Sequence, residues 1–399
     1  MLLAIAFMAC SLVVCAQTSF LHGLRFSADG RLLATAGGDG HAKIVDVATG
    51  TTVQICDGHR GHVYSVAFDP LRPHLVSGGF DSTVRIWDQR TGAGVQVLVG
   101  HSGQVLSVDV SPLGTQIASG SSDGTIRLWN AATGAAEAVL RGHTMSVSSV
   151  RFSADGRQLL SCATDGSVRI WTVRTAQLLR SLPSDHSCGH AYAAAFSPTT
   201  SSVAVTENTS SNTCTIWDAK ADVPTSMLSG HCGPITSMCY LPNGNTIVTA
   251  SADRTIRLWD VNTSRCMATL ADHHGYVSSV AVSPDGKVLA SCDLSGMLII
   301  RNVAQIIASD DAVDAELRVD PNPARDMVTI TFDVLSEEST EITVNDVGGR
   351  KMATPLAATQ SARGRHTVRF DASNLADGLY VVVATTSTGT RTTNMHVIR

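Results

Sequence analysis

The sequence predicts an all-β chain in which a seven-bladed β-propeller is followed by a small β-sandwich. Three observations predict it: a segment repeats seven times, all five tryptophans fall at one position of that repeat, and the periodicity stops after Asn302. Successive copies such as Trp87, Trp129 and Trp171 lie 42 residues apart. A period of about 40–45 residues is typical of propeller blades with four short strands each.

The first sixteen residues carry no charge and are almost all apolar. A stretch of this length is too short to span a bilayer but suits the apolar region of a signal peptide, and Ala16 provides a small residue at the cleavage position. We therefore predict a signal peptide at residues 1–16, although no Lys or Arg follows Met1. The alternative is a buried edge strand of the first blade. If the leader is removed, residues near Ala304–Ala308 must complete the last blade.

Residues 17–308 form the predicted propeller, and the unit that begins at Gly142-His143 shows its pattern. An alternating run over 147–152 predicts the innermost strand, and the turn at 154–156 leads into a second strand. A second turn at 164–166 leads into the strand that ends at Trp171. Glycine supplies the positive φ that such hairpin turns require. Neighbouring blades cover both faces of the inner strands, so those strands are apolar or small on both sides.

Over roughly residues 20–303 these units resemble the WD-repeat family. The resemblance implies a buried, hydrogen-bonded tetrad of His, Ser or Thr, Asp and Trp in four repeats. An indole N–H, an imidazole and a carboxylate each need a partner once buried, which explains such a set. Recurrence in four copies argues against a nucleophilic triad, because a catalytic site needs only one. The matching residues are His59, Ser77, Asp81 and Trp87; His101, Ser119, Asp123 and Trp129; His143, Ser161, Asp165 and Trp171; and His231, Thr249, Asp253 and Trp259.

Three repeats depart from the pattern. The fifth is four residues longer, lacks the Asp and contains a polar stretch at 207–212, which predicts a protruding loop. The first keeps Thr35 and Asp39, and the seventh keeps Ser291. Terminal repeats are commonly atypical because they close the array. The residues that replace tetrad members are Gln17 and Val45 in the first repeat, and Ser295 and Arg301 in the seventh.

After the propeller, an acidic segment at 309–316 predicts a linker, and strand-like runs over 317–399 predict a seven-stranded, immunoglobulin-like β-sandwich. These last residues resemble the C-terminal sorting domain of type IX secretion cargo from Bacteroidetes-like bacteria. The resemblance implies contact with the secretion machinery, export, and then tail removal or anchoring at the outer-membrane surface. An unrelated immunoglobulin-like domain is the alternative. The motif residues are Pro321, Asn322, Pro323, Asp346, Gly349, Arg350, Gly378 and Tyr380.

Charge and cysteine usage narrow the function. The net charge is −5 and no Lys/Arg run occurs, which argues against a nucleic-acid partner. No CxxC pair or Cys/His zinc spacing is found, so we predict neither a metal site nor a cofactor. Export would permit a disulfide among Cys188, Cys214, Cys232 and Cys239, but free buried thiols are the favoured interpretation.

Two functions are compatible with this pattern. The first is a secreted or surface-attached scaffold, without a transmembrane segment in the mature chain, that binds a protein or surface polymer through propeller loops. The second is a secreted propeller hydrolase or lactonase, which is disfavoured because the quoted innermost strands, such as 63–66 and 105–108, are small and apolar. A cytoplasmic location is a third alternative. Trp87-Asp88-Gln89-Arg90 also fits a pattern used to dock on ubiquitin-ligase adaptors, which an exported bacterial protein would not need. The candidate binding residues are Arg60, His62, Phe80, Gln104, Met145, His190, Tyr192, Arg254, His274 and Tyr276.

Overall fold

The computed structural model divides into two compact units, residues 1–306 and 307–399. Apart from one short helix, the described elements are β-strands. The residues that the structure describes are 12–16, 19–182, 191–207, 212–310, 317–322, 324–334, 338–346, 350–361, 364–386 and 389–398.

Within the described residues, the first unit contains seven four-stranded antiparallel sheets, numbered here along the chain. Strand β1 (Leu12–Ala16) precedes sheet 1 and belongs to sheet 7. Sheets 1 to 3 consist of β2 (Leu21–Phe26), β3 (Leu32–Gly37), β4 (His41–Asp46) and β5 (Thr52–Asp57); β6 (Val63–Phe68), β7 (His74–Gly79), β8 (Thr83–Asp88) and β9 (Gly94–Val99); and β10 (Val105–Val110), β11 (Gln116–Ser121), β12 (Ile126–Asn130) and β13 (Ala136–Leu140). Sheets 4 to 6 consist of β14 (Val147–Phe152), β15 (Gln158–Ala163), β16 (Val168–Thr172) and β17 (Gln177–Leu182); β18 (Ala194–Phe196), β19 (Ser202–Glu207), β20 (Thr213–Asp218) and β21 (Val223–Leu228); and β22 (Ile235–Tyr240), β23 (Thr246–Ser251), β24 (Ile256–Asp260) and β25 (Cys266–Leu270). Sheet 7 consists of β1 with β26 (Val277–Val282), β27 (Val288–Asp293) and β28 (Met297–Asn302).

Burial differs between the inner and outer strands of each sheet. In β11, every residue from Ile117 to Ser121 is buried, whereas in β9 the side chains of Val95 and Val97 are exposed. The inner strands are covered on both faces, which explains why they read as continuous runs of small and apolar residues. The hairpin turns use glycine where the backbone is left-handed, as at Gly156 with φ of 68°. Repeated sheets of this kind fit a propeller of short strands.

The innermost strands form a closed cycle. In the order β2, β6, β10, β14, β18, β22 and β26, each strand contacts the next one, and β26 contacts β2. The closure includes hydrogen bonds between the first and last sheets: Ser278 Oγ donates to the Leu21 carbonyl at 2.6 Å, and the Leu24 N–H donates to Ser279 Oγ at 3.2 Å. The seventh sheet therefore packs against the first.

The structure corrects the alternative interpretation of the first residues, which placed them at the edge of the first blade. Strand β1 instead pairs antiparallel with β28 and completes sheet 7, and the signal peptide at residues 1–16 stays a prediction. The physical reason is that β28 would otherwise present an unpaired edge. Val13 and Cys15 also pack against the apolar cluster that joins sheets 1 and 7.

Residues near Ala304–Ala308, expected to complete the last blade only if the leader is removed, form a helix in this structure, in which β1 pairs with the edge of β28. Helix α1 spans Val303–Asp310, with Val303 and Ile306 buried. Residues 309 and 310 of the predicted linker belong to this helix, and 311–316 lie outside the described residues.

The described residues of the second unit form two sheets that share one core. The sheet orders are β29-β30-β33 and β32-β31-β34-β35, and Ile330, Phe332, Ile342, Val382 and Met395 from both sheets pack together. The strand-like runs in the sequence were 327–332, 341–344, 366–370, 379–384 and 394–398, so strands β29 and β32 were not located in advance. The strands are β29 (Leu317–Asp320), β30 (Met327–Val334), β31 (Glu338–Asp346), β32 (Lys351–Ser361), β33 (Gly364–Asp371), β34 (Gly378–Thr386) and β35 (Gly389–Val397).

Candidate binding surface

In sheets 2, 3 and 6 the tetrad residues form a continuous buried network. In sheet 3, the Trp129 Nε1–H donates to Ser119 Oγ at 2.8 Å, and His101 Nε2 lies 2.8 Å from the same oxygen. His101 Nδ1 lies 2.9 Å from an Asp123 carboxylate oxygen. The corresponding distances in sheets 2 and 6 are all between 2.7 and 2.9 Å. The network satisfies polar groups that have lost contact with water.

The tetrad of sheet 4 contains an additional hydroxyl. His143 Nε2 and Trp171 Nε1 each lie 2.8 Å from Ser161 Oγ, as in the other sheets. His143 Nδ1, however, lies 2.8 Å from Ser167 Oγ and 3.5 Å from Asp165, and Ser167 Oγ donates to Asp165 at 2.6 Å. Ser167 thus connects the imidazole to the carboxylate.

Sheet 7 corrects the expectation that Ser295 replaces the aspartate. His273 Nδ1 lies 2.9 Å from Asp293 Oδ2, and His273 Nε2 lies 2.8 Å from Ser291 Oγ. Asp293 stands two residues before the expected position and also accepts a hydrogen bond from Ser295 Oγ at 2.6 Å. The network therefore keeps its carboxylate and lacks only the indole, because Arg301 occupies the Trp position.

Within the residues that the structure describes, sheets 1 and 5 do not form the network. Thr35 Oγ1 is buried without a hydrogen-bond partner, and Gln17, expected at the histidine position, lies outside the described residues. Asp39 instead accepts a hydrogen bond from Lys43 Nζ at 2.7 Å. In sheet 5 the register pairs Val205 with Thr215, two residues before Trp217, so an apolar residue stands where the other sheets have the hydroxyl.

The network shifts the pKa of its members. Burial alone would raise the pKa of Asp253, but hydrogen bonds from Thr255 and His231 outweigh it and lower the pKa to about 2. Burial lowers the pKa of His143 to about 4, against the opposing effect of Asp165. At neutral pH the carboxylates are therefore ionised and the imidazoles neutral.

The same carboxylates hold the loops at one end of the sheets. Asp81 accepts a hydrogen bond from the Arg60 N–H at 3.1 Å, and Asp165 accepts one from the Thr144 N–H at 2.7 Å. Backbone hydrogen bonds connect these loops to the turns after the second strands, as between the Phe80 N–H and the His62 carbonyl at 2.8 Å. This end of the sheets includes the loops before the innermost strands and the turns between the second and third strands. We call it the tetrad face.

The predicted binding residues lie on this face, apart from His190, which is outside the described residues. His62 and Gln104 are half-buried. Phe80, Met145 and Tyr276 are 48%, 53% and 58% exposed, which is unusual for large apolar side chains. The other exposed residues of the set are Arg60, Tyr192, Arg254 and His274.

An aromatic cluster on the tetrad face was missed in the sequence. His22 Nε2 lies 3.1 Å from His62 Nδ1, and both rings lie within about 6 Å of the Tyr64 ring. Phe20, 55% exposed, lies beside His62 across Gly38. Burial and the neighbouring His62 lower the pKa of His22. The signal was available, since residues 22 and 64 occupy the same repeat position, but neither belongs to the tetrad pattern.

The innermost strands were expected to offer only small and apolar side chains, but the structure shows charged side chains on three of them. Each strand continues beyond the four residues on which that expectation was based. Arg25, Asp109 and Arg151 stand one position further along β2, β10 and β14 and line a cavity between the sheets. An Asp109 carboxylate oxygen accepts a hydrogen bond from Arg25.

Within the described ranges, no group of three or more His, Cys, Asp or Glu side chains is placed to hold a metal ion. Cys214, Cys232 and Cys239 are free thiols, buried, exposed and half-buried respectively, and Cys188 lies outside the described residues. The exposed Cys232 differs from the expected buried thiol.

The predicted sorting-motif residues of the second unit lie at strand ends and turns. Asn322 Oδ1 accepts a hydrogen bond from the His396 N–H at 2.9 Å, and the Arg350 N–H donates to Asp346 at 2.9 Å. Tyr380 Oη donates to the Ala376 carbonyl at 2.9 Å. Pro321 follows β29 and Gly378 begins β34. Pro323 and Gly349 lie outside the described residues.

Comparisons with known proteins match these two units separately. A secretion system C-terminal sorting domain matches residues 318–399, which implies export by the type IX secretion system and a Bacteroidetes-like origin. No curated protein matches the chain. No helix in the described part of the chain is long and apolar enough to cross a membrane. The model of the WD domain, G-beta repeat, matches residues 9–46, 50–88, 92–130, 134–172, 222–260 and 264–302, so the chain belongs to the WD-repeat family.

Proposed function

We propose that this protein is an exported scaffold that binds a protein or surface polymer through its tetrad face. The observation that carries the proposal is the combination of exposed apolar side chains with loops that buried networks hold in place. Rigid presentation lowers the entropy that binding must overcome. Exposed apolar and aromatic side chains gathered on one surface are typical of interaction sites.

We further propose that the seven sheets are seven blades of one ring and that the second unit is an immunoglobulin-like sandwich. The closed cycle of innermost strands supports the ring, including sheet 5, whose strands β18, β19 and β20 lie outside the residues that the repeat model matches. Two sheets with one shared apolar core support the sandwich.

In this proposal the propeller does not catalyse a reaction. Support comes from the tetrad hydroxyls, since Ser77 Oγ accepts the Trp87 indole hydrogen bond and contacts His59 at 2.7 Å in a buried position. A nucleophilic serine must instead face substrate. The alternative of a propeller hydrolase or lactonase predicts ester or lactone turnover by the purified full chain, and such turnover would refute the scaffold proposal.

The binding proposal is tested by capture on the immobilised full chain. Surface and extracellular fractions of producing cells are passed over the wild type, a Phe80→Ala/Tyr276→Ala variant, and a Leu113→Ala control. Leu113 is 63% exposed in the hairpin turn between β10 and β11, at the opposite end of the sheets. We expect the double variant to lose at least about tenfold of the specific capture. Equal capture by the double variant and the wild type would refute the tetrad face as the binding surface.

Export to the cell surface or medium is the second part of the proposal and needs its own test. A chain that ends at residue 317 should accumulate inside the cell, while the full chain should reach the surface or the medium. Mass spectrometry of the exported form shows whether residues 318–399 are removed. Finding the intact full chain only in the cytosol would contradict the proposal and favour the cytoplasmic alternative.

A further inference from the structure

One position of the innermost strands carries charge in three of the seven sheets. The strand registers define this position, because in each sheet it pairs with the same position of the second strand. Arg25, for example, pairs with Ala34, and Asp109 pairs with Ala118. Because the position recurs once in every sheet, its side chains encircle the middle of the ring. The seven residues are Arg25, Ala67, Asp109, Arg151, Ala195, Cys239 and Ala281.

The three charged side chains line one cavity and interact with one another. Arg25 of sheet 1 donates a hydrogen bond to Asp109 of sheet 3. The other Asp109 oxygen accepts a hydrogen bond from the Phe152 N–H at 2.9 Å. Asp109 is buried, whereas the Arg25 side chain is 35% exposed. The carboxylate is therefore fixed, and part of the Arg25 guanidinium stays accessible.

Arg151 lies beside this pair and has no carboxylate of its own. Its Nη1 donates to the Val150 carbonyl at 2.9 Å and approaches Ser107 Oγ at 3.4 Å. Burial, and next the positive charge of Arg25, lower the pKa of Arg151 to about 10, so it stays protonated at neutral pH. Two guanidinium groups against one carboxylate leave one net positive charge.

These groups line a cavity of about 470 Å³. Its walls include Phe26, Phe152, Phe196 and Met238, and the side across from the charged cluster carries the small residues Ala195 and Ala281. Pockets of roughly 300–1,000 Å³ that combine apolar walls with a few fixed polar groups are typical of small-molecule sites. The charge and the walls together favour a small anion with an apolar body.

We propose that this cavity binds a small molecule that carries one carboxylate, sulfate or phosphate group on an apolar body. The anionic group interacts with Arg25 and Arg151, and the apolar body packs against the phenylalanine side chains. Arginine suits this role because its planar fork matches the oxygens of such groups. Asp109 holds Arg25 in position and competes with the ligand for its charge.

The test uses the full chain and two probes of one shape, benzoate and the neutral benzyl alcohol, with binding measured by ligand-observed NMR titration. We expect benzoate to bind at least about tenfold more tightly than benzyl alcohol, the difference that one charge-assisted hydrogen bond provides. Parallel titrations with phenyl sulfate and phenyl phosphate distinguish the three anionic groups. Equal affinity for benzoate and benzyl alcohol, or no benzoate binding up to roughly 10 mM, would overturn the proposal.

Two variants separate a binding site from an internal ion pair. Arg25→Gln should weaken benzoate binding about fivefold or more, whereas Asp109→Asn should strengthen it by a similar factor because the competing charge is gone. Thermal unfolding without ligand verifies that both variants are folded. If the ion pair has only a structural role, the two substitutions should not change the benzoate affinity in opposite directions. Equal affinities, or changes in the same direction, in the two folded variants would therefore also overturn the proposal.

Discussion

Sheets 2, 3, 4 and 6 each contain the complete buried tetrad, whereas at the closing contact between sheets 1 and 7 the described residues of sheet 1 do not form the network and sheet 7 lacks its indole. Trp129 occupies the core between sheets 2 and 3, while Val45 and Ile300 are among the residues between sheets 1 and 7. The polar network fixes loop positions through directional bonds, and the apolar contact adds strength without that specificity. The closing contact also depends on strand β1, which comes from the far end of the sequence.

Removing β1 tests the closing contact and should have the largest effect. A chain that begins at Gln17 should lose at least about 3 kcal/mol of unfolding free energy relative to one that begins at Leu12, because β28 loses its partner strand and Val13 and Cys15 lose their burial. Urea unfolding followed by tryptophan fluorescence measures it, since all five tryptophans lie in the first unit.

Equal unfolding midpoints for the two chains would contradict a closing role for β1. N-terminal sequencing of the exported protein addresses the predicted leader separately. A mature chain that begins at Gln17 would show that the ring closes without these residues in the cell. A mature chain that retains Leu12–Ala16 would show that the leader ends before β1.

A tetrad carboxylate should matter more than an exposed one. Asp253→Ala removes the acceptor for hydrogen bonds from His231, Cys232 and Thr255, and we expect a loss of about 3 kcal/mol. Asp155→Ala is the matched control, because Asp155 also accepts hydrogen bonds in a turn but its side chain is 59% exposed. The control should lose less than about 1 kcal/mol.

The outcome that would contradict this prediction is equal destabilisation by the two substitutions in denaturant titrations. It would mean that the buried network adds nothing beyond an ordinary turn.

The regular repeats were the part of the fold that the sequence could predict. A pattern repeated several times averages out local ambiguity, and the single position shared by every tryptophan aligned the strands. In the second unit, where nothing repeats, β32 was missed because its sequence KMATPLAATQS includes a proline and three alanines that do not favour strands.

The departures from the repeat could be predicted only in part. Asp293 was overlooked because it stands two residues before the position at which the repeat predicts the aspartate. Its carboxylate still reaches His273, and this contact depends on the geometry of the strand and not on the position in the repeat. The contact between Arg25 and Asp109 joins residues from sheets 1 and 3, and no position in the repeat predicts such a contact between sheets that are not consecutive. A strand from residues 12–16 could be recognised in the sequence, but the sheet that it joins could not.

The tryptophans offer a smaller test of the same comparison. Trp259→Phe loses the indole hydrogen bond to Thr249 and part of a buried ring, for which we expect about 2 kcal/mol. Trp217→Phe in sheet 5 should cost about 1 kcal/mol, because Val205 leaves its indole without the corresponding hydroxyl. Chemical denaturation of both variants measures the difference. A larger loss for Trp217→Phe would show that packing alone determines the contribution of these tryptophans.

The last prediction concerns the pH dependence contributed by one tetrad histidine. The pKa of His143 falls from 6.5 in the unfolded chain to about 4 in the folded one, so the unfolded chain binds the proton more readily. Its contribution to stability is complete above pH 6.5 and is lost as the pH falls towards 4. In that window this residue should lower the free energy of unfolding by about 1.4 kcal/mol for each unit by which the pH decreases.

His143→Gln should therefore reduce the slope of stability against pH between 4 and 6.5, as measured by urea titrations at several pH values. Ser161→Ala is the control, because it removes a hydrogen-bond partner of the same imidazole while keeping the titrating group. The control should lower stability at every pH and retain the slope. An unchanged slope in His143→Gln would mean that the buried imidazole is protonated as readily in the folded chain as in the unfolded one, so that the network does not exclude the charged form.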